Sequence, residues 1–215
     1  MSDFNAIAPY YDLLAALIFG NQLVSIQQSS LKYFHSHQRV MIIGGGTGRA
    51  FKGFEHRCRS ILYLEPSEKM IFQAQKNLNN SLVTFKRGKI EEVQPTESFD
   101  LVITNFVMDV FNKKELEQFI GEVEMRMAPD GLWIVSDFAL NKRQGYYYFK
   151  KQLIKLMYGF FSVVSNLNNN TLYDYRNILS GRGYREIEYH EIYGGFIFSS
   201  VFRKGYLPIA ASTRC

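Results

Sequence analysis

Short apolar segments alternate with longer amphipathic segments along most of the chain. Five of the short segments are nearly all apolar, as strands buried on both faces of a sheet require. These five segments are Val40–Gly44, Ile61–Glu65, Leu82–Lys86, Phe99–Thr104 and Leu132–Asp137. Helical patterns lie between them, including Ser67–Leu78 and Lys113–Met127. The alternation predicts a parallel sheet with crossover helices.

The ends of these segments carry further signals. Asn112 is followed three residues later by Glu115, which is typical of a capping box at a helix start. The sequence Ala128-Pro129-Asp130-Gly131 is predicted to end that helix and to turn the chain into the next strand.

Two more strand patterns lie near the C-terminus, at Arg185–Ile192 and Phe196–Arg203. Only Tyr193-Gly194-Gly195 separates them, which indicates a hairpin and an antiparallel edge of the sheet. The expected sheet therefore has seven strands.

Length and composition exclude several classes of protein. A chain of 215 residues suits one domain, and 47% hydrophobic with 21% charged residues is typical of a folded domain. Two cysteines, Cys58 and Cys215, are too few for a disulfide framework or a four-cysteine zinc site. The first residues lack the basic segment of a secretory signal, so we expect a cytoplasmic protein.

The first apolar segment runs into Gly44-Gly45-Gly46-Thr47-Gly48. Such a loop between a strand and a helix lets a ligand approach the backbone closely, with a plain tight turn as the alternative. The G-x-G-x-x-G/A pattern of dinucleotide sites does not fit, because its third small residue would be Arg49 or Phe51. A phosphate loop would need Gly-Lys-Ser/Thr, which is absent. The spacing that is present is G-x-G-x-G.

This G-x-G-x-G loop resembles that of the class I S-adenosylmethionine-dependent methyltransferases. Glu65 ends the second apolar segment, seventeen residues after Gly48, where a carboxylate can accept hydrogen bonds from both hydroxyls of a ribose. The sequence from Glu65 to Met70 (EPSEKM) is similar to the family's D/E-x-S-x-x-M, in which the serine caps a helix. The resemblance implies S-adenosyl-L-methionine as the cofactor.

The resemblance covers nearly the whole chain and implies a set of cofactor-binding residues. These are Tyr11, Gly44, Gly45, Gly46, Gly48, Glu65, Pro66, Met70, Lys89, Ile90, Asn105 and Phe106. The N-terminus, Phe4–Leu14 followed by Phe19-Gly20, is similar to the start of the ubiquinone/menaquinone biosynthesis methyltransferases.

Two positions depart from the family pattern. Ile42 stands where the family usually has an acidic residue, two positions before the first glycine. Gly88-Lys89-Ile90 stands in place of Gly-Asp-Ala, and a lysine cannot accept a hydrogen bond from the adenine amine. The cofactor contacts must differ at these points, with Glu91 as an alternative acceptor.

The resemblance implies transfer of a methyl group to an acceptor molecule. If the accepting atom carries a proton, a base must remove it, and carboxylates or histidines at strand ends are the candidates. We expect Asp109 and His190 to be catalytic, with Asp137 as a further candidate. The alternatives are a helix-start carboxylate for Asp109 and a half-buried strand residue for His190. No metal site is expected, because the other histidines have no ligand spacing with cysteines or acids.

One segment is both basic and aromatic. Between Asp137 and Asp174 the chain has no acidic residue but five lysines and arginines, which equals the net charge of +5. We interpret it as the lining of a pocket for a small lipophilic or aromatic substrate. Packing in the core or in a homodimer, and contact of residues 149–164 with a membrane surface, are the alternatives. Nucleic acid is the least favoured partner, because no recognisable RNA-binding module is present.

These observations predict an α/β fold, a Rossmann-like doubly wound seven-stranded sheet with an antiparallel C-terminal hairpin and helical additions. One methyltransferase domain is expected over 1–204, with a helical cover at 1–38, inserted acceptor-site helices at 138–183 and a loose tail at 205–215. The implied function is methyl transfer from S-adenosylmethionine to a small, hydrophobic or aromatic acceptor. The alternatives are a non-catalytic S-adenosylmethionine-binding protein and an NAD(P)-dependent reductase.

Overall fold

The computed structural model describes residues 21–139 and 173–205. Seven strands form one sheet: β1 Arg39–Ile43, β2 Ser60–Glu65, β3 Val83–Arg87, β4 Phe99–Asn105, β5 Met127–Phe138, β6 Tyr184–Ile192 and β7 Ile197–Lys204. Their order across the sheet is β3-β2-β1-β4-β5-β7-β6. Strands β1 to β5 are parallel, and β7 is antiparallel to both of its neighbours. The predicted fold class is confirmed.

Helices cover both faces of this sheet. They are α1 Gln22–Gln28, α2 Glu68–Asn77, α3 Lys113–Arg126 and α4 Tyr175–Gly181. Ser67 caps α2 by accepting a hydrogen bond from the backbone N–H of Met70. The predicted capping box of Asn112 and Glu115 is present at the start of α3.

The sheet separates two hydrophobic clusters. Apolar side chains of α3 and α4 pack on one face, and those of α2 pack on the other face with the 3-10 turn Leu31–Tyr33. Trp133, the only tryptophan of the chain, is fully buried on the α3 and α4 face. Its indole N–H donates to the Thr104 hydroxyl at 3.0 Å, which joins β4 to β5 inside the core.

Two local expectations are wrong. Ala128–Gly131 does not form a separate turn before β5, because the strand already begins at Met127 and contains these residues as an irregularity in its pairing with β4. No α-helix follows the glycine loop either. The chain between β1 and β2 has only two 3-10 turns, Arg49–Phe51 and Glu55–Arg57, and Gly53 between them has φ of +85°.

Candidate functional site

The glycine loop follows β1 at the carboxyl edge of the sheet. Gly44, Gly46 and Gly48 all have positive φ, of +66°, +60° and +77°, a conformation that favours glycine. A Cβ at Gly44 would lie 2.2 Å from Val107 Cγ2, so the loop passes tightly over the end of β4. A Cβ at Gly46 would meet no atom of the described residues within 4 Å. The loop therefore has a packed side and an open side, and Gly46 lies on the open one.

Side chains of β2 hold the loop in this shape. The carboxylate of Glu65 accepts hydrogen bonds from the backbone N–H of Gly46 at 3.2 Å and of Ser67 at 3.0 Å. The hydroxyl of Tyr63 donates to the carbonyl of Gly46 at 3.0 Å. The α2 residue Asn77 adds a bond to the carbonyl of Thr47 at 2.8 Å.

Glu65 is buried, at 4% exposure. In the described part of the chain its carboxylate is bonded by backbone N–H groups and not by a cationic side chain. Burial raises the pKa of its carboxyl from 4.5 to about 7, although the hydrogen bonds from Ser67 and Gly46 favour the charged form. Each carboxylate oxygen accepts one backbone hydrogen bond and retains a second lone pair. The group can therefore accept further donors from a ligand.

The end of β4 contributes an amide and an aromatic ring. Asn105 is 5% exposed, and its Oδ1 is buried without a hydrogen-bond partner among the described residues. Phe106 follows with φ of +53°, a conformation that is strained for a bulky residue. Its half-buried ring packs at 5.0 Å from that of Phe138, which packs at 5.4 Å from that of Phe196. This edge of the sheet thus has an apolar aromatic surface beside one unsatisfied acceptor.

Two carboxylates lie together on the other side of β4. Asp137, at the end of β5, accepts hydrogen bonds from the backbone N–H of Met108 at 3.0 Å and of Phe138 at 2.8 Å. Asp109 is 5% exposed and lies on the 3-10 turn Met108–Val110. Burial, with the neighbouring charge of Asp109, raises the pKa of Asp137 well above its ordinary value. The structure therefore brings together two of the acids considered as bases.

The comparisons with known proteins agree with this geometry. Residues 40–131 match the model of a family described as a methyltransferase domain. That segment contains the glycine loop, Glu65, Asn105 and Asp109. No curated protein sequence matches the chain.

Solved structures resemble the chain over most of its length. The complex of DhpI with SAH has a TM-score of 0.69 at 15% identity and covers 94% of both chains. The putative methyltransferase bound to the Haloferax volcanii Trm112 methyltransferase activator has a TM-score of 0.71 at 12% identity, covering 96% of this chain and 99% of that one. The N-methyltransferase NodS of Bradyrhizobium japonicum, in complex with S-adenosyl-L-homocysteine, has a TM-score of 0.61 at 14% identity, covering 86% and 84%. The chain has a methyltransferase fold.

Within this methyltransferase fold, most predicted cofactor residues lie at neighbouring strand ends. Pro66 and Met70 follow Glu65, and Met70 is buried at the first turn of α2. Ile90 is buried in the core, whereas Lys89 is exposed and its backbone N–H donates to the Glu92 carboxylate. Tyr11 and the segment 149–164 lie outside the described residues.

His190 is not brought to this group. It lies on the edge strand β6, three strands away from Asn105 through the register Asn105↔Ser136↔Ser199↔His190, or about 14 Å at the usual strand spacing. Its Nε2 is in contact with the carboxylate of Glu188, which also accepts from the hydroxyl of Tyr33 at 2.8 Å. A catalytic role for His190 stays a prediction.

Tyr63 is not among the residues predicted from the sequence, and the unsatisfied state of the Asn105 oxygen is a property that the sequence does not show. The Tyr63 hydroxyl bond to the loop was missed, although Tyr63 is two residues before Glu65 and must therefore share its face of the strand. The unsatisfied oxygen of Asn105 has no sequence signal, because it depends on what surrounds the strand end. Ile42, at the position of the expected acid, is fully buried and apolar.

No helix within the described ranges is long and apolar enough to cross a membrane.

Proposed function

We propose that the protein is an S-adenosylmethionine-dependent methyltransferase whose acceptor is a small hydrophobic or aromatic molecule. The observation that carries the proposal is the open side of Gly46 beside the buried carboxylate of Glu65, in a chain with a methyltransferase fold. A backbone without a side chain admits a ligand closely, and the adjacent carboxylate accepts hydroxyl donors.

The residues at the strand ends fit the chemical groups of this cofactor. Glu65 would accept from the two ribose hydroxyls through its remaining lone pairs. Asn105 Oδ1, a buried acceptor without a hydrogen-bond partner within the described ranges, suits the ammonium group of the methionine part. Gly46 leaves room for the cofactor along the loop. An unsatisfied buried acceptor is costly, so a ligand donor at Asn105 would relieve that cost.

The cofactor would supply a methyl group bound to a sulfonium sulfur. After the transfer, the rest of the cofactor leaves as a neutral thioether. The chain then has to place the acceptor and exclude water, and positioning of this kind can supply much of the rate. Phe106, with Phe138 and Phe196 behind it, offers an aromatic surface for the acceptor. Asp109, held next to Asp137, is our proposed proton acceptor for a hydroxyl or amine nucleophile.

Calorimetric titration tests this proposal directly. We expect S-adenosylmethionine and S-adenosylhomocysteine to bind at one site and NADH not to bind. Binding of NADH alone would replace the proposal by a reductase. Incubation with radiolabelled S-adenosylmethionine and panels of phenols, hydroxylated lipids and amines then identifies the acceptor by transfer of label.

A non-catalytic cofactor-binding protein is the second candidate. It is favoured by the positions that depart from the family, because Ile42 is buried and Lys89 is exposed, so neither supplies an acceptor to the cofactor. Cofactor binding without label transfer to any acceptor panel would support this candidate.

A further inference from the structure

The glycine loop lacks the support that a helix usually gives. In many nucleotide-binding folds an α-helix begins directly after such a loop, and its N-terminus helps to order the loop and its ligand. Here the chain continues into the 3-10 turn Arg49–Phe51, and no α-helix forms before β2. Four glycines in five residues would be conformationally free without other contacts. The loop must therefore be ordered by its neighbours.

Tyr63 contacts the loop through both its hydroxyl and its ring. Its side chain is fully buried, and its hydroxyl donates to the Gly46 carbonyl at 3.0 Å. Its ring lies directly against Gly45, where an added Cβ would come within 2.4 Å of both the hydroxyl oxygen and Cζ. Gly45 is thus glycine because the ring of Tyr63 occupies the place of a side chain.

Tyr63 and Glu65 act on the same residue of the loop. They are two positions apart on β2, so their side chains lie on one face of the strand. Glu65 accepts from the N–H of Gly46, and Tyr63 donates to the carbonyl of Gly46. Both backbone polar groups of Gly46 are therefore held from β2, which fixes its φ of +60° and keeps its open side free.

The hydroxyl of Tyr63 is not explained by packing alone. The ring packs against Phe51 with centroids 6.3 Å apart and against Phe85 at 5.2 Å, contacts that a phenylalanine could make equally. The residue paired with Tyr63 on β1 is Ile42, which has no polar side-chain atom. A buried tyrosine hydroxyl needs a partner, and here the partner is the loop.

We propose that Tyr63 is a positioning residue for the cofactor: its hydroxyl holds Gly46 in the conformation that opens the loop to the ligand. The proposal rests on the proposed function, since it assigns Tyr63 a role toward the same cofactor. Loss of the hydroxyl frees the Gly46 carbonyl and loosens the loop, while the aromatic packing of β2 stays in place. Tyr63 thus acts on binding through the loop and not through contact with the methyl group.

The test compares Tyr63→Phe with the wild-type protein and with Tyr184→Phe. The control removes another buried hydroxyl, that of Tyr184 on β6, the edge strand farthest from β2. We expect Tyr63→Phe to weaken binding of S-adenosylhomocysteine about ten-fold in calorimetry, the usual scale for one lost hydrogen bond to a buried group. Amide hydrogen exchange at Gly46 and Gly48 should become faster in the cofactor-free variant, and Tyr184→Phe should change neither readout.

Gly45→Ala provides a second variant, because its Cβ would push the Tyr63 hydroxyl away from the loop. It should weaken binding and speed exchange in the same way as Tyr63→Phe. If the wild-type protein does not bind S-adenosylhomocysteine, the proposed function fails, and the inference about the cofactor falls with it. If the wild-type protein binds and Tyr63→Phe binds equally well, only the role of Tyr63 is overturned. Weaker binding with unchanged loop exchange, or a lower melting temperature with unchanged affinity, also overturns it.

Discussion

The carboxylate of Glu65 accepts a hydrogen bond from the backbone N–H of Gly46 at 3.2 Å. Through this bond the end of β2 and the loop after β1 are joined by one buried acidic side chain. A charge in this place has to be solvated by a few backbone N–H groups, so its protonation state responds both to pH and to a bound ligand.

The raised pKa of Glu65 makes the stability of the cofactor-free protein depend on pH. The folded protein holds this proton up to about pH 7, whereas the unfolded chain releases it near pH 4.5. The free energy of unfolding should therefore fall by about 3 kcal/mol as the pH rises from about 4.5 to about 7. Urea denaturation across this range checks the slope. Glu65→Gln should lack this part of it, and an identical slope in the variant would refute the assignment.

Cofactor binding should release a proton from Glu65. Ribose hydroxyls donate to the charged carboxylate, so binding lowers its pKa from about 7 and the affinity increases with pH until about pH 7. Calorimetry of S-adenosylhomocysteine in two buffers of different ionisation enthalpy, near pH 6.5, measures the protons released. Any proton released by the amine of S-adenosylhomocysteine is released equally on binding to the wild-type protein and to Glu65→Gln. The difference between them therefore reports on Glu65, and a difference of zero would exclude its contact with the ribose.

Gly46→Arg should abolish cofactor binding without unfolding the protein. The new side chain enters the open space above the loop, and the positive φ costs about 1 kcal/mol. Gly53→Arg is a matched control, because Gly53 also has positive φ and, in the part of the chain that the structure describes, no atom lies within 4 Å of an added Cβ. Similar melting temperatures with binding lost only in Gly46→Arg would support the ligand site. Equal affinities of the two variants for the cofactor would show that the loop is a plain turn and not a ligand site.

Asn105→Leu should change stability and affinity in opposite directions. It removes a buried oxygen that has no hydrogen-bond partner in residues 21–139 and 173–205, so the free energy of unfolding should rise by about 1 kcal/mol. It also removes the proposed acceptor for the cofactor ammonium, so binding should weaken at least ten-fold. Ser136→Ala, at the paired position on β5, is the control: it should lower the free energy of unfolding by about 1 kcal/mol and leave the affinity unchanged, because the Ser136 hydroxyl donates to Ser199 at 3.1 Å. Undiminished affinity in Asn105→Leu would remove Asn105 from the site.

The elements that the sequence predicts well are those determined by local pattern. The buried strands β1 to β4 lie within one residue of the predicted ends, because a run of apolar residues between turns has few other solutions, whereas β5 begins five residues before its predicted start. The capping box at Asn112 and Glu115 is likewise local, since the two residues satisfy each other's backbone donors. The glycine spacing predicts a ligand loop at the carboxyl edge of the sheet. In the structure the loop lies at that edge, and Gly46 is on its open side.

The expectations that failed, or that the sequence did not supply, depend on contacts between distant parts of the chain. The glycine run is interpreted from the sequence as a loop between a strand and a helix, but Gly53 at φ of +85° lies where that helix would continue. The Asp109 and Asp137 pair depends on the register of β4 with β5 and on the turn that follows β4. His190 contacts Glu188, two residues away on β6, and Glu188 accepts from Tyr33 on the 3-10 turn Leu31–Tyr33. The second contact joins distant parts of the chain, so the spacing along β6 does not indicate it.

The indole of Trp133 gives the protein a single optical reporter. Because the chain has one tryptophan, emission excited selectively from tryptophan comes from one fully buried ring, which donates to Thr104, the residue before Asn105. A change in wavelength or quenching on titration would therefore report on the surroundings of this ring, between Thr104 on β4 and Tyr184 on β6, without a dye or a label. Ligand occupancy and the integrity of the core could then be followed in the same cuvette.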